Sequence, residues 1–236
     1  MRIRYHEGIY YPAEKDKLES LVFPIEKRAA ASALIVPHQA LSLSAPLLRE
    51  AFSRFGEPSS VVILSPIHAG RIESDRDYPF FEGDENTGDG IVKLGAVTAE
   101  YYAEEEAAAE ILLPFIRTLS PSVPVSIIYT DIRNAKESRA LSSFLAEKTS
   151  PDTLFIISTN LSSVCSTIEE CREWMERAVE ALERGENILD CGNRNRVHIC
   201  AGGAVDSINR IVPGPWIFED SAEGETTAHA VLWKEK

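Results

Sequence analysis

Residues 32–36 read Ser32-Ala33-Leu34-Ile35-Val36 and are followed at once by Pro37 and His38. Residues 60–64 read Ser60-Val61-Val62-Ile63-Leu64, and that run is stopped by Pro66, with Ile67 and His68 next. Both are short, unbroken apolar runs, the pattern of a strand covered on its two faces. Between them, 46–55 carries Leu47, Leu48, Ala51 and Phe55 at helical spacing. Strand, polar corner, helix, strand is the signature of a parallel sheet wrapped by helices.

The pattern continues outward. Strands are predicted at 123–129 and 154–158, with a helix at 136–148 between them. The segment 98–119 is predicted as one long helix with acidic early turns, which suit the positive end of a helix dipole. Thr167-Ile168-Glu169-Glu170 fits a capping box. The helix it opens has Ile168, Cys171, Met175, Ala178 and Leu182 on one stripe and stops at Gly185. A further helix is expected over 201–211. Two terminal strands, 216–219 and 226–233, are expected around Glu223-Gly224. Residues 69–95 are rich in Asp, Glu and Gly and have no clean period. They read as a long excursion, with short strands around 91–94. The fold class expected is a single α/β domain over 1–236, with a mainly parallel sheet and helices on both faces.

Composition narrows the function. Of 236 residues, 44% are hydrophobic and 26% charged, as in ordinary globular chains. The formal net charge is −13 and no basic patch stands out, which argues against nucleic acid and anionic membranes as partners. Met1 to Glu7 has no apolar core, so no secretory signal is expected, and no apolar run reaches membrane-spanning length. A cytoplasmic location follows, with Cys165, Cys171, Cys191 and Cys200 as reduced thiols. No Cys-x-x-Cys pair occurs, so a zinc ribbon is not expected.

In parallel sheets, ligands sit beyond the carboxyl ends of the strands. The residues at those corners are His38, His68, Thr130 with Asp131, and Asn160. Two imidazoles on neighbouring strand ends can share a divalent metal, and Cys191, ahead of Gly192, is a candidate third ligand. Read from pattern alone, the alternative is two corner histidines bonded to backbone. Ala201-Gly202-Gly203-Ala204 is glycine-rich but lacks the spacing of a nucleotide loop. There is no Gly-x-Ser-x-Gly nucleophile elbow. His198 and His229 fall in segments expected to be ordinary structure, and His6 has no evident partner.

The ordered set of short motifs resembles the Memo family, whose microbial members are often called AmmeMemoRadiSam system protein B. Gly8-Ile9-Tyr10-Tyr11-Pro12 resembles the family's opening G-x-F-Y-P. Ile35-Val36-Pro37-His38 resembles its I-V-P-H strand end, and Leu64-Ser65-Pro66-Ile67-His68 its L-G-P-x-H. Glu106-Ala107-Ala108-Ala109-Glu110 with Leu113-Pro114-Phe115 resembles E-H-S-x-E and L-P-F. Ser158-Thr159-Asn160-Leu161-Ser162-Ser163 resembles S-S-D-L-S-H, and Cys191-Gly192 a C-G-R motif. The resemblance implies a fold like that of class III extradiol dioxygenases. It implies a metal, iron, copper or zinc, held by His38, His68 and Cys191, with Gln39, Asn160 and Ser163 lining the pocket. The chain departs from the family at Gln39-Ala40-Leu41, Ala107, Asn160 and Ser163, where an A-G-Y, two histidines and a carboxylate are replaced. Asn cannot act as a carboxylate base. Three readings follow: a Memo-like metal or small-ligand pocket with altered chemistry and no assigned catalytic residue, an iron- or copper-dependent oxidoreductase of dioxygenase type, or a scaffold that takes a peptide in the same crevice. The resemblance also allows an oligomer.

Overall fold

The computed structural model describes residues 5–68, 80–84, 106–162, 165–223 and 227–236. Among them, seven strands form one sheet: β1 (Ala31–Val36), β2 (Ser60–Pro66), β3 (Phe80–Asp84), β4 (Val125–Thr130), β5 (Thr153–Ser158), β6 (Ile217–Glu223) and β7 (Ala228–Glu235). Their order is β3-β4-β2-β5-β1-β7-β6. The four central strands, β4, β2, β5 and β1, are parallel. β3 runs antiparallel to β4, β7 antiparallel to β1, and β6 antiparallel to β7.

The helices are α1 (Lys15–Val22), α2 (Leu41–Phe52), α3 (Ala107–Glu110), α4 (Leu113–Leu119), α5 (Ala135–Lys148), α6 (Ile168–Glu183), α7 (Ile188–Asn193) and α8 (Gly202–Asn209). They divide into two layers because strand side chains alternate. Leu34, Val36, Val61 and Ile63 pack into one core with α2, α3 and α4. Ala33, Ile35, Val62 and Leu64 pack into a second core with α5, α6, α7 and α8. Each central strand is buried on both sides, which is why it reads as a continuous apolar run.

Several expectations are corrected. The predicted helix at 98–119 is two short helices in its described part, and 98–105 lie outside the described residues. Glu106 has extended backbone and caps α3 through Ala108 N, and Pro114 opens α4, where its missing N–H costs nothing. The helix expected at 46–55 starts earlier, at Leu41. The strands expected around 91–94 lie outside the described residues. β3, α1 and α7 were not anticipated. The Thr167 cap forms as expected, its hydroxyl accepting from Glu170 N, but the Glu170 carboxylate reaches Ser166 N instead of the cap residue. Gly185 ends α6 at φ +67°, the left-handed conformation that suits glycine.

Not all four thiols are reduced. Cys165, just before α6, and Cys171, in its first turn, form a disulfide with Cα atoms 5.3 Å apart. Cys171 is fully buried on its helix stripe, as expected. No helix among the described residues is long and apolar enough to cross a membrane.

One glycine decides where the carboxyl edge is closed. A Cβ at Gly203 would lie 2.4 Å from the side chain and carbonyl oxygen of Ile132. Only glycine lets the start of α8 press against the segment leaving β4. That approach carries Cys200, two residues before α8, to the ends of the parallel strands.

Candidate metal centre

β5 lies between β1 and β2. The exits of all three strands therefore sit side by side: Pro37-His38, Ile67-His68 and Thr159-Asn160. The His38 and His68 rings meet edge-on, with centroids 5.1 Å apart. The third group is Cys200, whose Sγ is 3.9 Å from His38 Nε2. One donor atom from each of His38, His68 and Cys200 lies within 4.8 Å of the other two.

Hydrogen bonds behind the rings set their tautomers. His68 Nδ1 is 2.8 Å from Glu106 Oε2, so it carries the proton that the carboxylate accepts. The same oxygen accepts from the His68 backbone N–H at 3.0 Å, and Oε1 accepts from Ala108 N at 2.9 Å. Glu106 is 4% exposed, so this clamp works at low local dielectric. Ser158 Oγ donates to Ala108 O at 2.7 Å. Its one hydrogen is thereby committed, and it accepts from His38 Nδ1 at 3.3 Å. Both imidazoles therefore turn Nε2 toward the cysteine: protonated, it donates to the sulfur, and once that proton leaves, its lone pair is free for a metal. This is the arrangement seen where histidines ligate metals.

The sulfur is also prepared. Cys200 Sγ accepts from Asn160 N at 3.1 Å and lies 3.2 Å from the Thr159 hydroxyl. Burial opposes ionisation of this thiol. The neighbouring charge of His38 and hydrogen bonds from His38, His68 and Thr159 outweigh it and bring the pKa down to about 5. Hydrogen bonds that the His68 ring donates to the Cys200 sulfur and to Glu106 raise its pKa to about 10, against the effect of burial. Burial pushes the Glu106 pKa up, but its bonds to His68 more than compensate and it stays below the usual carboxylate range.

Cys191 is elsewhere. It lies inside α7, 3% exposed, packed in the second core. Its Sγ donates to Glu186 Oε2 at 3.3 Å, with Arg196 on the same carboxylate. Burial and Glu186 raise its pKa. The reason for the correction is the short helix α7, which turns this residue into the core beneath α8. The structure thus brings together His38 and His68 of the expected set, with Cys200 in place of Cys191.

Of the expected pocket residues, Asn160 is at the site, its side-chain oxygen 3.4 Å from His38 N. Gln39 is half-buried beside His38, with its carbonyl accepting from Ser44. Ser163 lies outside the described residues. Asp131 is held by Arg133 at 2.7 Å. His6 is not without a partner: its backbone N donates to buried Glu110 at 2.9 Å. Sequence reasoning missed Cys200, Glu106 and Ser158 as site residues. The available signal for Cys200 was a cysteine two residues ahead of a Gly-Gly pair that opens a helix.

In metal-free protein, iodoacetamide is expected to label Cys200 well before Cys191 at neutral pH. The thiolate is the nucleophile, so labelling of Cys200 should persist down to its pKa of about 5 and fade below it. Peptide mass spectrometry across pH reads this directly, and preferential labelling of Cys191 would contradict it.

No protein-family profile matches the chain. The chain is 28% identical to the MEMO1 family protein of Thermotoga petrophila, over 66% of this chain and 68% of that protein. It is 28% identical, over the same shares, to the MEMO1 family protein of Thermotoga maritima. The ordered motifs and the helix-covered sheet with its central parallel strands agree with this similarity to MEMO1 family proteins.

Proposed function

We propose that this protein holds one divalent metal ion at the carboxyl edge of its sheet through His38 Nε2, His68 Nε2 and Cys200 Sγ, and binds a small ligand beside it. The observation that carries this reading is the convergence of three donor atoms within 4.8 Å of one another. Two imidazoles and a thiolate suit iron, copper or zinc and do not suit magnesium or calcium. Three protein ligands leave a coordination position for an exogenous group, as in catalytic sites. An ion bound there would polarise that group. The protein's own part is to orient the donors through Glu106, Ser158, Thr159 and Asn160.

No acid–base step is assigned. Asn160 stands where the family has a carboxylate, and Glu106 and Ser158 are already engaged with the two histidines. The peptide-scaffold reading has no specific observation in its favour. The test is elemental analysis of protein purified without a metal-affinity column, then incubated anaerobically with ferrous, cupric or zinc ion. One ion per chain is expected. Failure to take up any of the three would refute the reading.

A further inference from the structure

β7 lies against β1 in antiparallel register, Leu34 opposite Trp233 and Ile35 opposite Leu232. Continuing that register by three residues sets His229 across from His38. The side chains of β7 alternate: Ala228, Ala230 and Leu232 enter the second core, and Val231 enters the first. His229 therefore shares the face of Val231 and of Val36, the side on which α2 packs. Directly opposed residues on one face of an antiparallel pair are close neighbours.

His229 is 6% exposed, and neither ring nitrogen has a hydrogen-bond partner among the described residues. Burial disfavours the charged form of the ring. A neutral imidazole offers one N–H donor and one acceptor. Burying both unpaired costs stability that a leucine or valine at this place would not. An orphaned polar group of this kind needs a reason, and the reason lies across the strand, at the metal centre.

We propose that His229 forms the hydrogen-bonding wall of the crevice on its β7 side and contacts the small ligand bound beside the three donors, through an anionic or hydroxyl group of that ligand. This rests on the metal reading above. His229 is not itself one of the three converging donors. Its role is recognition of what the ion holds.

Cobalt(II) and azide provide the test, because cobalt gives visible bands that report both metal loading and anion binding. Wild type, His229→Leu and His229→Gln are loaded and titrated with azide. All three should take up one cobalt per chain. His229→Leu should bind azide roughly tenfold or more weakly, the worth of one hydrogen bond to a charged group. His229→Gln keeps an N–H donor and should lose less. If cobalt loads fully and His229→Leu binds azide as tightly as wild type, the inference is overturned while the metal reading stands. If wild type takes up no cobalt, the metal reading falls and the inference with it. If His229→Leu alone cannot hold cobalt although its melting temperature matches wild type, His229 belongs to the metal shell and the ligand role is wrong.

Discussion

Replacing Cys200 by serine is expected to abolish most metal uptake, while replacing Cys191 by serine leaves it unchanged. Cys200 supplies the soft donor among three converging atoms. A hydroxyl at the same place is a poor ligand for iron, copper or zinc at neutral pH, because it does not ionise there. The loss in affinity should exceed the roughly 10–100-fold that an outer-shell partner is worth. Cys191, bonded to Glu186 in the second core, is a control that removes a thiol without touching the site. His38→Ala should behave like Cys200→Ser. Competition with a coloured chelator gives the affinities. Metal bound equally well by Cys200→Ser and wild type would remove the thiolate from the site, and a loss confined to Cys191→Ser would reverse the assignment.

Glu106 should give the next largest effect. Its carboxylate holds the Nδ1 proton of His68 and so presents Nε2 to the ion. Glu106→Ala is expected to weaken metal binding by roughly 10–100-fold. It also removes the cap on Ala108 N, at a cost of about 1 kcal/mol in stability. Glu106→Gln separates the two effects. Its single amide oxygen can replace Oε2 as the acceptor for His68 Nδ1, but its NH2 cannot accept from Ala108 N and the negative charge is gone. Its metal affinity should fall between wild type and Glu106→Ala, while its stability falls about as far as that of Glu106→Ala. The same change should bring the His68 pKa in metal-free protein down from about 10, because the lost carboxylate favoured the protonated ring. A proton NMR titration of the ring follows this. Wild-type metal affinity in a folded Glu106→Ala protein would show that the carboxylate does not orient the ligand.

Much of the fold was legible because the central strands carry a strong local signal. Strands 32–36, 60–64, 123–129 and 154–158 were read within two residues at either end, since burial on both faces demands unbroken apolar runs. The long helix at 98–119 was misread because periodicity runs on through Leu112 while Pro114 resets the chain. The short helix α7 was missed because six residues carry less than two turns of pattern. Part of its support is tertiary: Asp206, from α8, accepts from Ile188 N and Leu189 N.

The sequence alone determined the parallel sheet and the two histidines, because each histidine is tied by its neighbouring proline to the end of a strand it follows directly. Strand-end position is a local property, and the strand-end rule turns it into a place in space. Only the tertiary structure decided which cysteine joins them. Cys191 and Cys200 are nine residues apart, both near glycines and both after β5. Their fates separate through contacts no local pattern records: Glu186 and the second core hold one, while the close approach of Gly203 to Ile132 delivers the other to the strand ends. His229 was likewise set beside His38 by β1–β7 pairing across most of the chain's length. Local propensity writes the strands, but side chains from distant segments meet only when the sheet order is fixed by the packing of its two layers.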